Sequence, residues 1–198
     1  MISTIEPKAE QKYYTVEEYL ALEETAEEKH EYHNGEIITM TGGTTNHNTL
    51  ALTIASFFFT QLSAEDYQVY INDVRLFIEQ YNRYTYPDVM IVKGKPMYQG
   101  KGTTSVKNPL LIVEVLSKST QHYDQTDKFD AYRSIPDLQE YIVIDQYQYY
   151  VKQFAKNQEG KWVLTDYIGK EAILKLEYLP LEVTLENLYQ RVNFNVSE

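Results

Sequence analysis

The chain has 198 residues, 43% hydrophobic and 24% charged, which excludes a disordered chain and suits one ordinary core. Cysteine is absent, so disulfide frameworks, thiolate zinc sites and cysteine nucleophiles are excluded. The formal charge of −11 argues against nonspecific avidity for nucleic-acid phosphates, while leaving a local basic groove compatible with it.

Residues 1–13 read as a loose tail, and 14–198 as a single domain. The first twenty positions are polar throughout and predict no secretory leader. The longest apolar runs, IASFFF and PLLIVEVL, fall short of the roughly 20 residues that span a bilayer. A soluble, cytoplasmic protein without a membrane partner is therefore expected. TVEEYLALEETAEEKHEY (15–32) predicts a helix opened by a Thr15/Glu18 capping box, with Val16, Tyr19, Leu20 and Leu22 as its apolar face. The seven glutamates between 17 and 31 read as a solvated helix face.

EYHNGEIITMTG (31–42) predicts a hairpin about Asn34-Gly35, the favoured two-residue turn. A second helix is expected over 46–63, after the turn-rich TGGTTNH. Strand patterns follow in YQVYI (67–71), VRLFIEQ (74–80) and PDVMIV (87–92), and then a polar loop over 93–109. After a strand in PLLIVEVL, the segment 121–137 predicts a helix ended by Pro136. QEYIVID, YYVKQFA and KWVLTDYI predict three more strands, and TLENLYQR a terminal helix. This order is mixed α/β (α+β), a twisted mixed central sheet with helices on both faces. The 19 tyrosines read mainly as strand residues that bury a ring and wet a hydroxyl.

One residue breaks the pattern. Leu110 to Val113 is an apolar run of the kind buried on both faces of a sheet, yet Glu114 interrupts it. An ionised carboxylate there must be paired, protonated, bound to a cation, or exposed where the strand ends at SKST. Asp88 shows the same anomaly: it follows Pro87 and precedes VMIV. Two acids on neighbouring strands suit a hard divalent cation with oxygen ligands, although Pro-Asp is also an ordinary turn signal.

YPDVMIV (86–92), then PLLIVEVLSKST (109–120), then DKFDAYRSIPDLQEYIVID (127–145) resemble the Uma2, or DUF820, family of restriction-endonuclease-like proteins. The upstream EYHNGEIITMTGGTTNH resembles that family's Gly-Glu hairpin and helix-start histidine. The resemblance implies the PD-(D/E)XK nuclease fold, DNA as substrate, and Mg²⁺, with Mn²⁺ as a substitute. It also admits a homodimer. Carried over, Asp88 and Glu114 are the metal-binding acids, joined by a backbone carbonyl such as that of Val115. Leu116 stands where the superfamily pattern wants a lysine. The resemblance offers Lys128 as a lysine relocated to the following helix, with Lys118 as its competitor. Glu36 and His47 become auxiliary candidates.

Bland readings stand beside these. Lys128 reads equally as a solvated helix lysine, Glu36 as a solvent-facing hairpin residue and His47 as a helix-start residue. His30 and His33 have a metal-compatible i, i+3 spacing without further ligands and read as surface residues. Lys93, Lys95, Lys101 and Lys107 offer positive charge for substrate phosphates or merely solvate their loop. The functions expected are an Mg²⁺-dependent endonuclease or, alternatively, an inactive nuclease-fold module for nucleic-acid binding or assembly. A glycosidase built on paired acids leaves the order of these motifs unexplained.

Overall fold

The computed structural model describes residues 12–117 and 127–195. Helix α1 (Val16–Glu23) opens on the expected capping box: Thr15 accepts from the Glu18 N–H at 3.2 Å, and its own N–H donates to Glu18 Oε2 at 2.8 Å. The helix stops at Glu23, nine residues short of the expected end at 32. Residues His30–His33 instead form strand β1, paired with β2 (Glu36–Thr39) across the Asn34-Gly35 turn and with β5 (Arg83–Thr85) on its other side. Pairing on both sides satisfies this strand's backbone groups, and the strand buries Glu31 and Tyr32. Asn34 and Gly35 both have positive φ, 47° and 110°, as the tight hairpin turn requires.

Helix α2 (Thr45–Gln61) matches expectation and is capped by Thr44, whose side chain accepts from the His47 N–H. Six strands form the central sheet in the order β11-β10-β9-β8-β6-β3, with β3 Tyr67–Ile71, β6 Val89–Lys93, β8 Leu111–Leu116, β9 Glu140–Asp145, β10 Tyr150–Lys156 and β11 Trp162–Ile168. Neighbours are antiparallel except β8 and β9. A second sheet runs β2-β1-β5-β4-β7, with β4 Arg75–Ile78 and β7 Ser105–Val106. A small pair, β12 (Ile173–Lys175) and β13 (Glu182–Thr184), went unread in the sequence because three residues carry too little periodicity. Helix α3 (Asp127–Tyr132) lies within the segment expected to be helical, whereas residues 118–126, Lys118 among them, fall outside the described part. The terminal helix α4 is one turn, Leu185–Leu188.

Strand alternation sorts the central sheet into two faces. Val89, Ile91, Val113, Val115, Ile142 and Ile144 pack with Leu50, Ile54 and Phe58 of α2 and with Leu185 and Leu188 of α4. Met90, Ile112, Leu116, Tyr141 and Val143 face the other way, onto Leu76 and Ile78 of β4 and Ala131 and Tyr132 of α3. The twisted mixed sheet is as expected, but its second face is covered jointly by α3 and the second sheet. Tyr19 of α1 stacks on Tyr32 at 5.2 Å between ring centroids and, with Tyr84 and Phe77, ties that helix to the second sheet. Among the described residues no helix is long and apolar enough to cross a membrane.

Candidate active site

The site begins where a ladder runs out. Strand β6 pairs with β8 only as far as Val89 opposite Val113, while β8 continues along β9 to Leu116 opposite Asp145. Beyond Val113 the β6-facing backbone of β8 has lost its partner, and a buried N–H without an acceptor is costly. Asp88, immediately before β6, fills the gap: its Oδ2 accepts from the Val115 N–H at 2.7 Å. The N–H and C=O of a strand residue point the same way, so the Val115 carbonyl opens on the Asp88 side as well. His47 Nε2, on the first turn of α2, lies 3.1 Å from the same Asp88 oxygen.

Glu114 belongs by alternation to the opposite face and is 3% exposed. It does not escape at the strand margin, as the sequence reading allowed. It is paired instead. Its Oε1 accepts from the Tyr132 hydroxyl at 2.6 Å and from the Lys128 ammonium at 3.1 Å, both on α3. Burial, and after it the Glu114 charge, pushes the Tyr132 hydroxyl well above its ordinary value, so it stays protonated as a donor. Lys128 is 8% exposed rather than solvated, and its ammonium also lies 3.7 Å from Glu31 Oε1. Glu31 in turn takes a short hydrogen bond from the Thr85 hydroxyl and lies 2.8 Å from His33 Nε2. Burial alone would push its carboxyl up; Lys128, His33 and Thr85 together outweigh that and bring it down to about 2.

Asp88, Glu114, Val115, Lys128 and His47 line one cleft of about 800 Å³. Its wall continues through Thr41, Gly42, Gly43 and Thr44. A Cβ on Gly43 would come 2.9 Å from His47 Nδ1, so the glycine lets that ring lie against the loop. Buried Gln146 fixes the loop to the sheet, donating to the Leu116 carbonyl at 2.6 Å and accepting a short bond from the Thr44 hydroxyl.

Glu36 does not line the cleft; it sits beside the hairpin turn opposite His33. Lys93, Lys95, Lys101 and Lys107 do not line it either, and Lys107 pairs with Glu79 at 3.1 Å. Among the described residues the lysines that do are Lys29 and Lys128, against Glu27, Glu28, Asp88 and Glu114. His30 lies 2.7 Å from Glu23, not from a shared site with His33. Sequence reasoning missed Glu31, Tyr132 and Gln146. For Glu31 a signal was present: the Asn34-Gly35 turn sets the register that puts it opposite Ile38 in a strand.

Residues 16–188 match the family Uma2, described as "Putative restriction endonuclease". The chain belongs to the Uma2 family. Two Synechocystis sp. proteins, sll1609 and slr1290, both described only as uncharacterized, are similar to it. The first is 38% identical over 86% of this chain and 96% of its own length, and the second 33% over 90% and 92%. The crystal structure of a "putative nuclease belonging to DUF820" from Anabaena variabilis has the same fold, with a TM-score of 0.74 at 16% identity, covering 89% of this chain and 98% of that one.

Proposed function

We propose that this Uma2 protein is a divalent-metal-dependent endonuclease that hydrolyses phosphodiester bonds of DNA in the cleft between β6, β8 and α3. One observation carries the reading: the lysine missing after Glu114 has a substitute in space. Leu116 is buried in the apolar face, while Lys128 reaches from α3 to 3.1 Å from Glu114, in the cleft that Asp88 also lines.

Among the described residues no three His, Cys, Asp or Glu side chains form a metal-binding group. Two carboxylates and a carbonyl nevertheless suit Mg²⁺, which keeps several waters and binds through few protein ligands. Asp88, Glu114 and the Val115 carbonyl would hold it, and the bound ion would supply Lewis-acid polarisation and a water of lowered pKa. The chain's own residues do the rest. The Val115 N–H and His47 fix the Asp88 carboxylate, and Tyr132 fixes that of Glu114. Lys128 contributes positive charge, preorganised in a largely buried site, where negative charge grows on the phosphoryl oxygens.

A second reading has its own support. Glu114 Oε1 already accepts two donors, and among the described residues acids outnumber lysines around the cleft, as suits a non-cleaving binding or assembly module. Incubation of supercoiled plasmid with purified protein and Mg²⁺ or Mn²⁺ separates the two. The nuclease nicks or linearises the DNA, EDTA stops it, and Asp88→Ala and Glu114→Ala each abolish it. Lys128→Ala slows cleavage while sparing the Mn²⁺-induced rise in Tm. An inert parent, or variants as active as the parent, would sink the nuclease reading.

A further inference from the structure

Glu31 is 6% exposed, on a strand of the second sheet, and faces a site built on the central one. Stability does not explain why a carboxylate stands here in place of an apolar side chain. A buried ion pair gains little over well-packed apolar side chains, and the desolvation cost is several kcal/mol per ion. Its surroundings are specific instead. Oε2 lies 2.8 Å from His33 Nε2, and Oε1 accepts from the hydroxyl of fully buried Thr85 on β5 and lies 3.7 Å from the Lys128 ammonium, an ion pair. Lys128 therefore lies between two carboxylates, Glu114 at 3.1 Å and Glu31, one from each sheet. A lysine ammonium is a point charge on a flexible stem with rotatable donors. A single carboxylate would leave the stem free to swing.

We propose that Glu31, locked by His33 and Thr85, is a positioning residue that holds Lys128 against Glu114 for the phosphodiester reaction, an inference that rests on the nuclease reading above. The experiment compares the parent with Glu31→Gln, Thr85→Val, Lys128→Ala and the Glu31→Gln/Lys128→Ala double variant. It measures plasmid cleavage, the Mn²⁺-induced shift in Tm, and acylation of Lys128 by an amine-reactive reagent, read by mass spectrometry. Glu31→Gln is expected to lower kcat about 10- to 100-fold, leave KM and the Mn²⁺ shift unchanged, and raise labelling of Lys128 severalfold. Thr85→Val, which removes only the hydroxyl that locks Glu31, should do the same more weakly, and it serves if Glu31→Gln does not fold. The double variant should cleave no more slowly than Lys128→Ala, because Glu31 acts through that lysine.

An active parent whose Glu31→Gln variant keeps its kcat, or a double variant slowed by the full Glu31 factor, would overturn the proposal and leave the nuclease reading standing. A parent inert with both metals sinks the nuclease reading instead, and labelling then decides Glu31 alone. Unchanged labelling in Glu31→Gln and Thr85→Val overturns its hold on Lys128; increased labelling sustains it.

Discussion

Val113 and Glu114 are neighbours in one strand and almost equally inaccessible, at 0% and 3%, yet they serve opposite faces of the sheet. Val113 meets the aliphatic wall of α2. Glu114 meets Tyr132 and Lys128, with Glu31 behind them. Around Val113 the first face is hydrocarbon and gains from every buried methylene. The second holds charges that must satisfy one another, and so is costly to disturb in a different way. Burial alone therefore does not tell a stabilising residue from a chemical one; the partners do.

Matched truncations test that contrast most severely. Phe58→Ala on the α2 side should cost about 3–5 kcal/mol through the cavity it leaves. Lys128→Met should cost a similar amount, about 3–5 kcal/mol at pH 7.5, because it removes the buried cation that Glu31 and Glu114 share. The two separate with pH. Urea unfolding at pH 4 should find the Phe58→Ala cost little changed and the Lys128→Met cost reduced, since the two carboxylates can then take up protons. Equal costs at both pH values would mean that the second face is held by packing alone.

Two buried glutamates sharpen the contrast further. Glu31, brought down to about 2 from the ordinary 4.5, contributes stability that is present above pH 4.5 and lost as pH falls towards 2. Glu140 is fully buried at the start of β9, next to Gln153 and the N–H groups of Glu177 and Tyr178, and among the described residues no lysine pairs with it. Burial outweighs those donors and raises its carboxyl to about 7. The folded state then binds the extra proton between pH 4.5 and 7, so stability falls as pH rises through that window, by about 3 kcal/mol. In Glu140→Gln that part of the fall should vanish. If the slopes of parent and variant are parallel from pH 5 to 8, Glu140 is ionised throughout.

The smallest effect concerns Asp88, which caps the broken ladder. Metal-free Asp88→Ala should lose about 1–3 kcal/mol because the Val115 N–H loses its acceptor. Asp88→Asn keeps a side-chain oxygen and should melt near the parent. Mn²⁺ should then raise the parent's Tm well above that of Asp88→Asn, because the variant lacks a charged ligand. Equal shifts in both would reduce Asp88 to its capping role.

The strands of the central sheet, the capping box that opens α1, helix α2, the Asn34-Gly35 hairpin and the anomaly of Asp88 and Glu114 were legible in the sequence alone. Each is written in spacing between near neighbours, where periodicity, caps and turn residues act. Leu116 in place of a lysine was legible too, and the resemblance offered Lys128, but the contact between Lys128 and Glu114 was not legible, because it forms only once α3 has packed over β8. Only the tertiary structure turned Glu31 from one of seven acids on a supposed helix face into the buried partner of Lys128. Local pattern predicts that a residue will be buried or exposed, whereas the identity of its partner is set by how distant strands pair, and a buried charge is decided by its partner.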